Sequence, residues 1–170
     1  MKTIFAFLIS LCALAAFARA DDVIGGVVLL KPVSGSQVTG TVIFTKTSDG
    51  AKVAVDLENL KPGKHGFHIH EKGDCSDPKA ASAGGHFNPA KSHHGGVDTA
   101  QRHAGDFGNL EANASGKVHA ELQLKGVKFD GADAIIGKSL IVHEKEDDLK
   151  TDPSGNSGDR VACGVIEPMR

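Results

Sequence analysis

Residues 38–45 read Val-Thr-Gly-Thr-Val-Ile-Phe-Thr. Val38, Gly40, Val42 and Phe44 fall on one phase of a two-residue period, and Thr39, Thr41 and Thr45 on the other. That is the pattern of a half-buried strand. Outward from it, Ser48-Asp49-Gly50 marks a turn, after which Val53, Val55 and Leu57 alternate again. Lys61-Pro62-Gly63-Lys64 is a second turn signal. Farther on, Val118, Ala120, Leu122 and Leu124 alternate with His119, Glu121, Gln123 and Lys125. Residues 135–142 and 160–166 are the late strand candidates, and no window sustains a helical period. Short strands spaced by turn signals predict an all-β sandwich or barrel.

The chain has 170 residues, which suits one domain. Its 24% charged and 40% hydrophobic residues are ordinary for a folded chain and too apolar for a disordered one. With 19 basic and 21 acidic side chains it lacks the basic excess of a nucleic-acid binder. Its 21 glycines favour turns over helices, and nine histidines are many for this length.

Residues 1–20 read as a cleaved secretory signal: Lys2, an apolar run from Ile4 to Phe17, and Ala18-Arg19-Ala20 before Asp21. The apolar run is too short to span a membrane, so no membrane attachment is expected after cleavage. Residues 21–170 are then the mature domain, with 17 basic and 21 acidic side chains and a formal charge of −4. Cys12 leaves with the signal. Cys75 and Cys163 remain, and two cysteines in an exported chain read as one disulfide.

Two stretches break the strand rhythm. Residues 71–105 are rich in Gly, Ser, Asp, Pro and His, and residues 144–159 are polar with Asp152-Pro153 and Gly155-Asn156-Ser157-Gly158. Long irregular loops in a compact domain are usually functional.

The histidines concentrate around these stretches. In His65-Gly66-Phe67-His68-Ile69-His70, His68 and His70 share one strand face, a metal-ligand arrangement. His65 shares the phase of Phe67 and reads as a buried, hydrogen-bonded support. His86, His93, His94, His103 and Asp106 lie in or beside the long loop, which has too little apolar surface to order itself without ligation. Spacing does not choose between His93 and His94. His143 follows Leu140-Ile141-Val142 and points outward with Ile141, so it joins His68 and His70 only if the site sits on the outer wall of the sheet. His119 reads as an exposed strand histidine. About six histidines and an aspartate exceed one tetrahedral zinc, and imidazole suits zinc and copper. Two ions, with copper a candidate for at least one, follow as the expectation.

Six blocks together resemble the copper,zinc superoxide dismutase family: 66–71 (Gly-Phe-His-Ile-His-Glu), 85–89 (Gly-His-Phe-Asn-Pro), 94–96 (His-Gly-Gly), 102–106 (Arg-His-Ala-Gly-Asp), 142–145 (Val-His-Glu-Lys) and 160–164 (Arg-Val-Ala-Cys-Gly). The resemblance covers the mature chain in order. It implies an eight-stranded Greek-key β-barrel of the immunoglobulin-like sandwich kind, with a long metal-binding loop. It implies copper held by His68, His70, His86 and His143, and zinc held by His86, His94, His103 and Asp106, with His86 bridging. Cys75 and Cys163 match the family disulfide. Arg160 matches the anion-guiding arginine, and Asp147 matches the carboxylate linking copper-side to zinc-side ligands. The implied activity is disproportionation of superoxide, with Arg160 and His86 as the catalytic residues. The alternative is a copper carrier or buffer on the same fold. A zinc hydrolase ranks below both, because protein groups fill all four zinc positions.

Two departures accompany the resemblance. The Cys75 region is similar to bacterial exported members. The loop between His143 and Arg160 is shortened and lacks a charged helical segment, which leaves Lys145 and Lys150 as candidates to help guide the substrate. Residues 135–137, 73–74 and 164–166 resemble the contact segments of family homodimers. Asn113-Ala114-Ser115 is a glycosylation sequon. The Cys75 region points to the periplasm rather than the extracellular space.

Overall fold

The structure, a computed structural model, describes residues 22–170. The expected signal segment, 1–20, lies outside the described residues. In chain order the strands are β1 (Gly25–Pro32), β2 (Thr39–Lys46), β3 (Gly50–Glu58), β4 (Gly63–His70), β5 (Asp106–Ala112), β6 (Val118–Lys125), β7 (Ser139–His143), β8 (Arg160–Val165) and the short β9 (Glu167–Met169). Eight of them hydrogen-bond in the order β5-β4-β7-β8-β1-β2-β3-β6, and β9 pairs with β1. Every pairing is antiparallel. The end strands β5 and β6 approach one another, so the barrel is nearly closed. β3 and β4 are consecutive in the chain but distant in the sheet, as are β6 and β7, and these crossings make the Greek key. No helix among the described residues is long and apolar enough to cross a membrane.

The alternating residues fill the barrel as their period requires. Val42 and Phe44 on β2, Val53, Val55 and Leu57 on β3, Phe67 and Ile69 on β4, and Leu140 and Val142 on β7 are all buried in one core. Phe107 packs tilted against both Phe44 and Phe67, with ring centroids 6.2 and 6.0 Å away. Each such side chain contributes roughly 1.5–3 kcal/mol by leaving water.

The strand reading differs from the structure at β1, β5 and β7, and the short β9 was not anticipated either. β1 was not anticipated: its run of four apolar residues, Val27 to Leu30, hides an alternation in which Val28 and Leu30 are buried and Leu29 is 63% exposed. β5 was also not anticipated. Gly108 sits at φ 76, so the buried Phe107 and Leu110 stand three apart and the two-residue period is lost. The expected strand over 135–142 begins only at Ser139. Residues 135–138 turn instead, with the Lys138 amide donating to the Ile135 carbonyl and Gly137 at φ 77.

With Phe67 and Ile69 directed inward, His68 and His70 lie on the outer wall. β4 and β7 pair His68 with Ile141 and His70 with Ser139. Ile141 joins Ala80, Ala83 and Cys163 in a small outer cluster that seats the long loop. Register irregularities fall between Gly66 and His68 on β4 and between Val142 and His143 on β7. Bulges of this kind redirect side chains and concentrate beside functional sites.

Candidate metal centre

The outer wall gathers two sets of ligands that share one residue. His68, His70, His86 and His143 each offer one nitrogen, and these atoms all lie within 4.8 Å of one another. So do the ligand atoms of His86, His94, His103 and Asp106. All seven residues are buried.

In the first set, each strand histidine has one nitrogen occupied by the protein. Asp147 Oδ2 lies 2.7 Å from His68 Nε2, the Gly84 carbonyl 2.9 Å from His70 Nδ1, and the Gly158 carbonyl 3.3 Å from His143 Nδ1. The opposite atoms, His68 Nδ1, His70 Nε2, His143 Nε2 and His86 Nε2, are buried without a hydrogen-bond partner. Buried nitrogens are rarely left so. Four of them converging is the donor set of a metal that accepts imidazole. Burial lowers the His68 pKa to about 4 and carries those of His70 and His143 well below their ordinary value, so the rings are neutral and their lone pairs free.

The second set is organised by Asp106, which is fully buried. Its Oδ1 lies 2.8 Å from His86 Nδ1 and 3.1 Å from the Nδ1 atoms of His103 and His94. Its Oδ2 accepts the amides of Gly95 and His103. Burial opposes the charge on Asp106, but bonds from His86 and His94 outweigh it and hold the carboxyl well below the usual range. Burial likewise opposes a charge on His94, yet the carboxylates of Asp106 and Asp147 push it up to about 10. A cation among these three rings would take the place of that proton. Three imidazoles and one carboxylate form a closed tetrahedral set that fits zinc.

His86 therefore faces both sets, with Nδ1 toward Asp106 and Nε2 toward His68, His70 and His143. Asp147 joins the sets a second way: its Oδ2 meets His68 and its Oδ1 lies 2.8 Å from His94 Nε2. Such outer carboxylates fix imidazole orientation.

Of the residues named from the sequence, His68, His70, His86, His94, His103, His143, Asp106 and Asp147 meet here. Cys75 and Cys163 are bonded, with Cα atoms 5.8 Å apart. The bond ties the start of the long loop to β8. Arg160, on β8, donates Nη1 to the Ala80 carbonyl and Nη2 to the Gly84 carbonyl, both in that same stretch. An open depression of about 430 Å³ lies there, lined in part by Lys79, Gly84, Gly85, Gly158 and Arg160. Lys145 and Lys150 do not line it; Lys79 does.

The other histidines separate clearly. His94 rather than His93 belongs to the site, because the His93 side chain is 86% exposed. His65 is buried and bonded to the carbonyls of His143 and Lys61, as a support residue should be. His119 is exposed beside Asp56. Two residues were not singled out from the sequence. Asn109 grips the backbone of Asp147, accepting its amide at 2.7 Å and donating to its carbonyl at 2.9 Å. Arg102 donates to the carbonyls of His103 and Asp106. Arg102 stood within a quoted block, whereas β5, which carries Asn109, gave no strand signal.

Comparison with known proteins agrees with this geometry. The family model described as "Copper/zinc superoxide dismutase (SODC)" matches residues 38–166. The extracellular superoxide dismutase [Cu-Zn] of Drosophila melanogaster is 48% identical over 148 residues, covering 81% of this chain and 81% of that protein. Superoxide dismutase [Cu-Zn] 4 of Dictyostelium discoideum is 44% identical, covering 79% of this chain and 93% of that protein. A crystal structure titled for the clock protein EA4 superposes with a TM-score of 0.79 at 36% identity, covering 86% of this chain and 96% of that one.

Proposed function

Because the chain belongs to the copper/zinc superoxide dismutase family, we propose that it disproportionates superoxide at the His68–His70–His86–His143 set, with His86, His94, His103 and Asp106 holding zinc. Two superoxide anions and two protons give one dioxygen and one hydrogen peroxide. Copper in the first set would supply a couple that takes up and returns one electron, and zinc a fixed charge. The observation that carries this reading is the division of His86, whose two nitrogens face different ligand sets. His86 Nε2 is the atom that can hold a proton on the copper side while Nδ1 keeps the ring in place, and that proton is available to the peroxide product. Arg160 supplies a fixed positive charge and donors beside His70 and His143. A chain at −4 would otherwise repel the anion. Tested directly, His86→Ala should abolish superoxide removal and disturb both metals; an active variant with both metals retained would refute the bridging role.

The same reading includes export, in line with the extracellular relative in Drosophila melanogaster. Mature protein should begin at Asp21. Asn113 is exposed in the β5–β6 turn and could accept a glycan. An enzyme-released glycan at Asn113 on protein from its source would mark secretion from a eukaryotic cell, and its absence would favour the periplasmic reading. A homodimer also belongs to this proposal. The three segments named for it meet: a Cβ added to Gly73 would overlap the Gly137 carbonyl and approach Val165. Sedimentation at twice the chain mass is the expected result.

A further inference from the structure

The loop at 144–159 offers a carboxylate that the ligand sets do not use. Asp152 Oδ1 accepts the backbone amide of His94 at 2.7 Å, and its Oδ2 meets His93 Nδ1 at 2.6 Å. His94 is thus held from the same loop at two points, its amide by Asp152 and its ring Nε2 by Asp147. We propose that Asp152 is a positioning residue for zinc: it fixes the backbone of His94 so that Nδ1 stays aimed at the second ligand set. The inference rests on the zinc assignment above.

The loop is built to place this residue. Asp148 accepts the amides of Lys150 and Thr151, the Thr151 hydroxyl and the Asn156 side chain. The Gly155 amide donates to the Thr151 carbonyl, and the Asp148 amide to the Gly155 carbonyl. These bonds close 148–156 into a knot with Asp152 on it. Gly155, at φ 63, presses the knot against the site: an added Cβ would stand 1.8 Å from Asp147 Oδ1 and 2.7 Å from His94 Nε2. A charged acceptor on an amide makes a stronger bond than a neutral one. The contact with His93, between side chains 86% and 49% exposed, should matter little by comparison.

The test is the rate at which copper- and zinc-loaded protein yields zinc to a chromogenic chelator, with the copper absorption band followed in parallel. Asp152 is half-exposed, so Asp152→Ala should fold. It should release zinc roughly tenfold faster than the parent, the usual cost of losing an outer partner of a ligand, while copper stays. Asp152→Asn keeps an acceptor for the His94 amide and should stay within about threefold of the parent. His93→Ala should match the parent. Release from Asp152→Ala at the parent rate would overturn the proposal, as would equal acceleration in Asp152→Ala and His93→Ala. A parent that binds no zinc would overturn the metal assignment itself.

Discussion

His70 and Arg160 donate to one oxygen, the carbonyl of Gly84: His70 Nδ1 lies 2.9 Å from it and Arg160 Nη2 2.5 Å. The shared acceptor fixes a copper-side ring and a guanidinium in one geometry. It also sets the tautomer of His70, since the nitrogen donating to Gly84 leaves Nε2 to face the other rings. Arg160 should therefore act on the substrate from a fixed place, without being needed to fold the barrel.

Arg160→Ala should keep both metals and the melting temperature, and lower the rate per copper by about tenfold, as loss of one charge-assisted contact implies. Arg160→Lys should recover part of that rate, because it keeps the charge without the fork of donors. Arg160→Glu should be slowest. The rate of the parent should fall with added salt, since exposed charges are screened over roughly 10 Å at 0.1 M, and Arg160→Ala should respond less. An Arg160→Glu variant as fast as the parent at low salt would remove Arg160 from the mechanism.

The two ligand sets should come apart by mutation. His68→Ala or His143→Ala should lose copper and leave zinc, because neither residue belongs to the second set. Elemental analysis of the purified variants decides this. Loss of zinc alone from His143→Ala would contradict the assignment of the sets.

The period of two placed His68 and His70 on one face, and the phase of Leu140 and Val142 put His143 on the outer wall with Ile141; both hold in the structure. Spacing did not separate His93 from His94, because that choice is made by burial and by contacts with Asp106 and Asp147, far along the chain. The clasp of Asp152 on His94 spans 58 residues between two irregular loops, where no periodic signal exists. β5 was hidden by the break in period at Gly108, and Asn109 with it.

Metal-free protein should lose stability as pH falls from about 6.5 toward 4. His68 is held neutral by burial, with its pKa lowered to about 4, and His70 and His143 are lowered for the same reason. In that window the unfolded chain binds protons that the folded chain refuses, so acid favours unfolding. His94, raised to about 10, works at the other end: its contribution is complete below about 6.5 and is lost as pH rises toward 10. It therefore cannot offset the acid loss. Urea titrations of chelator-stripped protein at pH 7 and pH 4.5 should show the lower midpoint at pH 4.5. Equal midpoints would contradict the burial of neutral rings.

Reduction of Cys75–Cys163 should lower the melting temperature even with metals bound. The bond closes a loop of 88 residues, for which chain entropy gives about 4–5 kcal/mol. It should lower activity as well, because Ala80 and Gly84, which hold Arg160, lie in the stretch that Cys75 tethers. Thermal melts and superoxide assays of Cys75→Ser test both effects. Parent-like values in both would show that the loop is held by other means.

The most direct test of the whole reading is to titrate copper into zinc-loaded, copper-free protein while following the decay of superoxide. The decay rate should rise in proportion to bound copper and stop rising at one copper per chain, with zinc unchanged. Copper bound to that same stoichiometry without any acceleration of superoxide decay would contradict the enzyme reading and leave a copper carrier in its place.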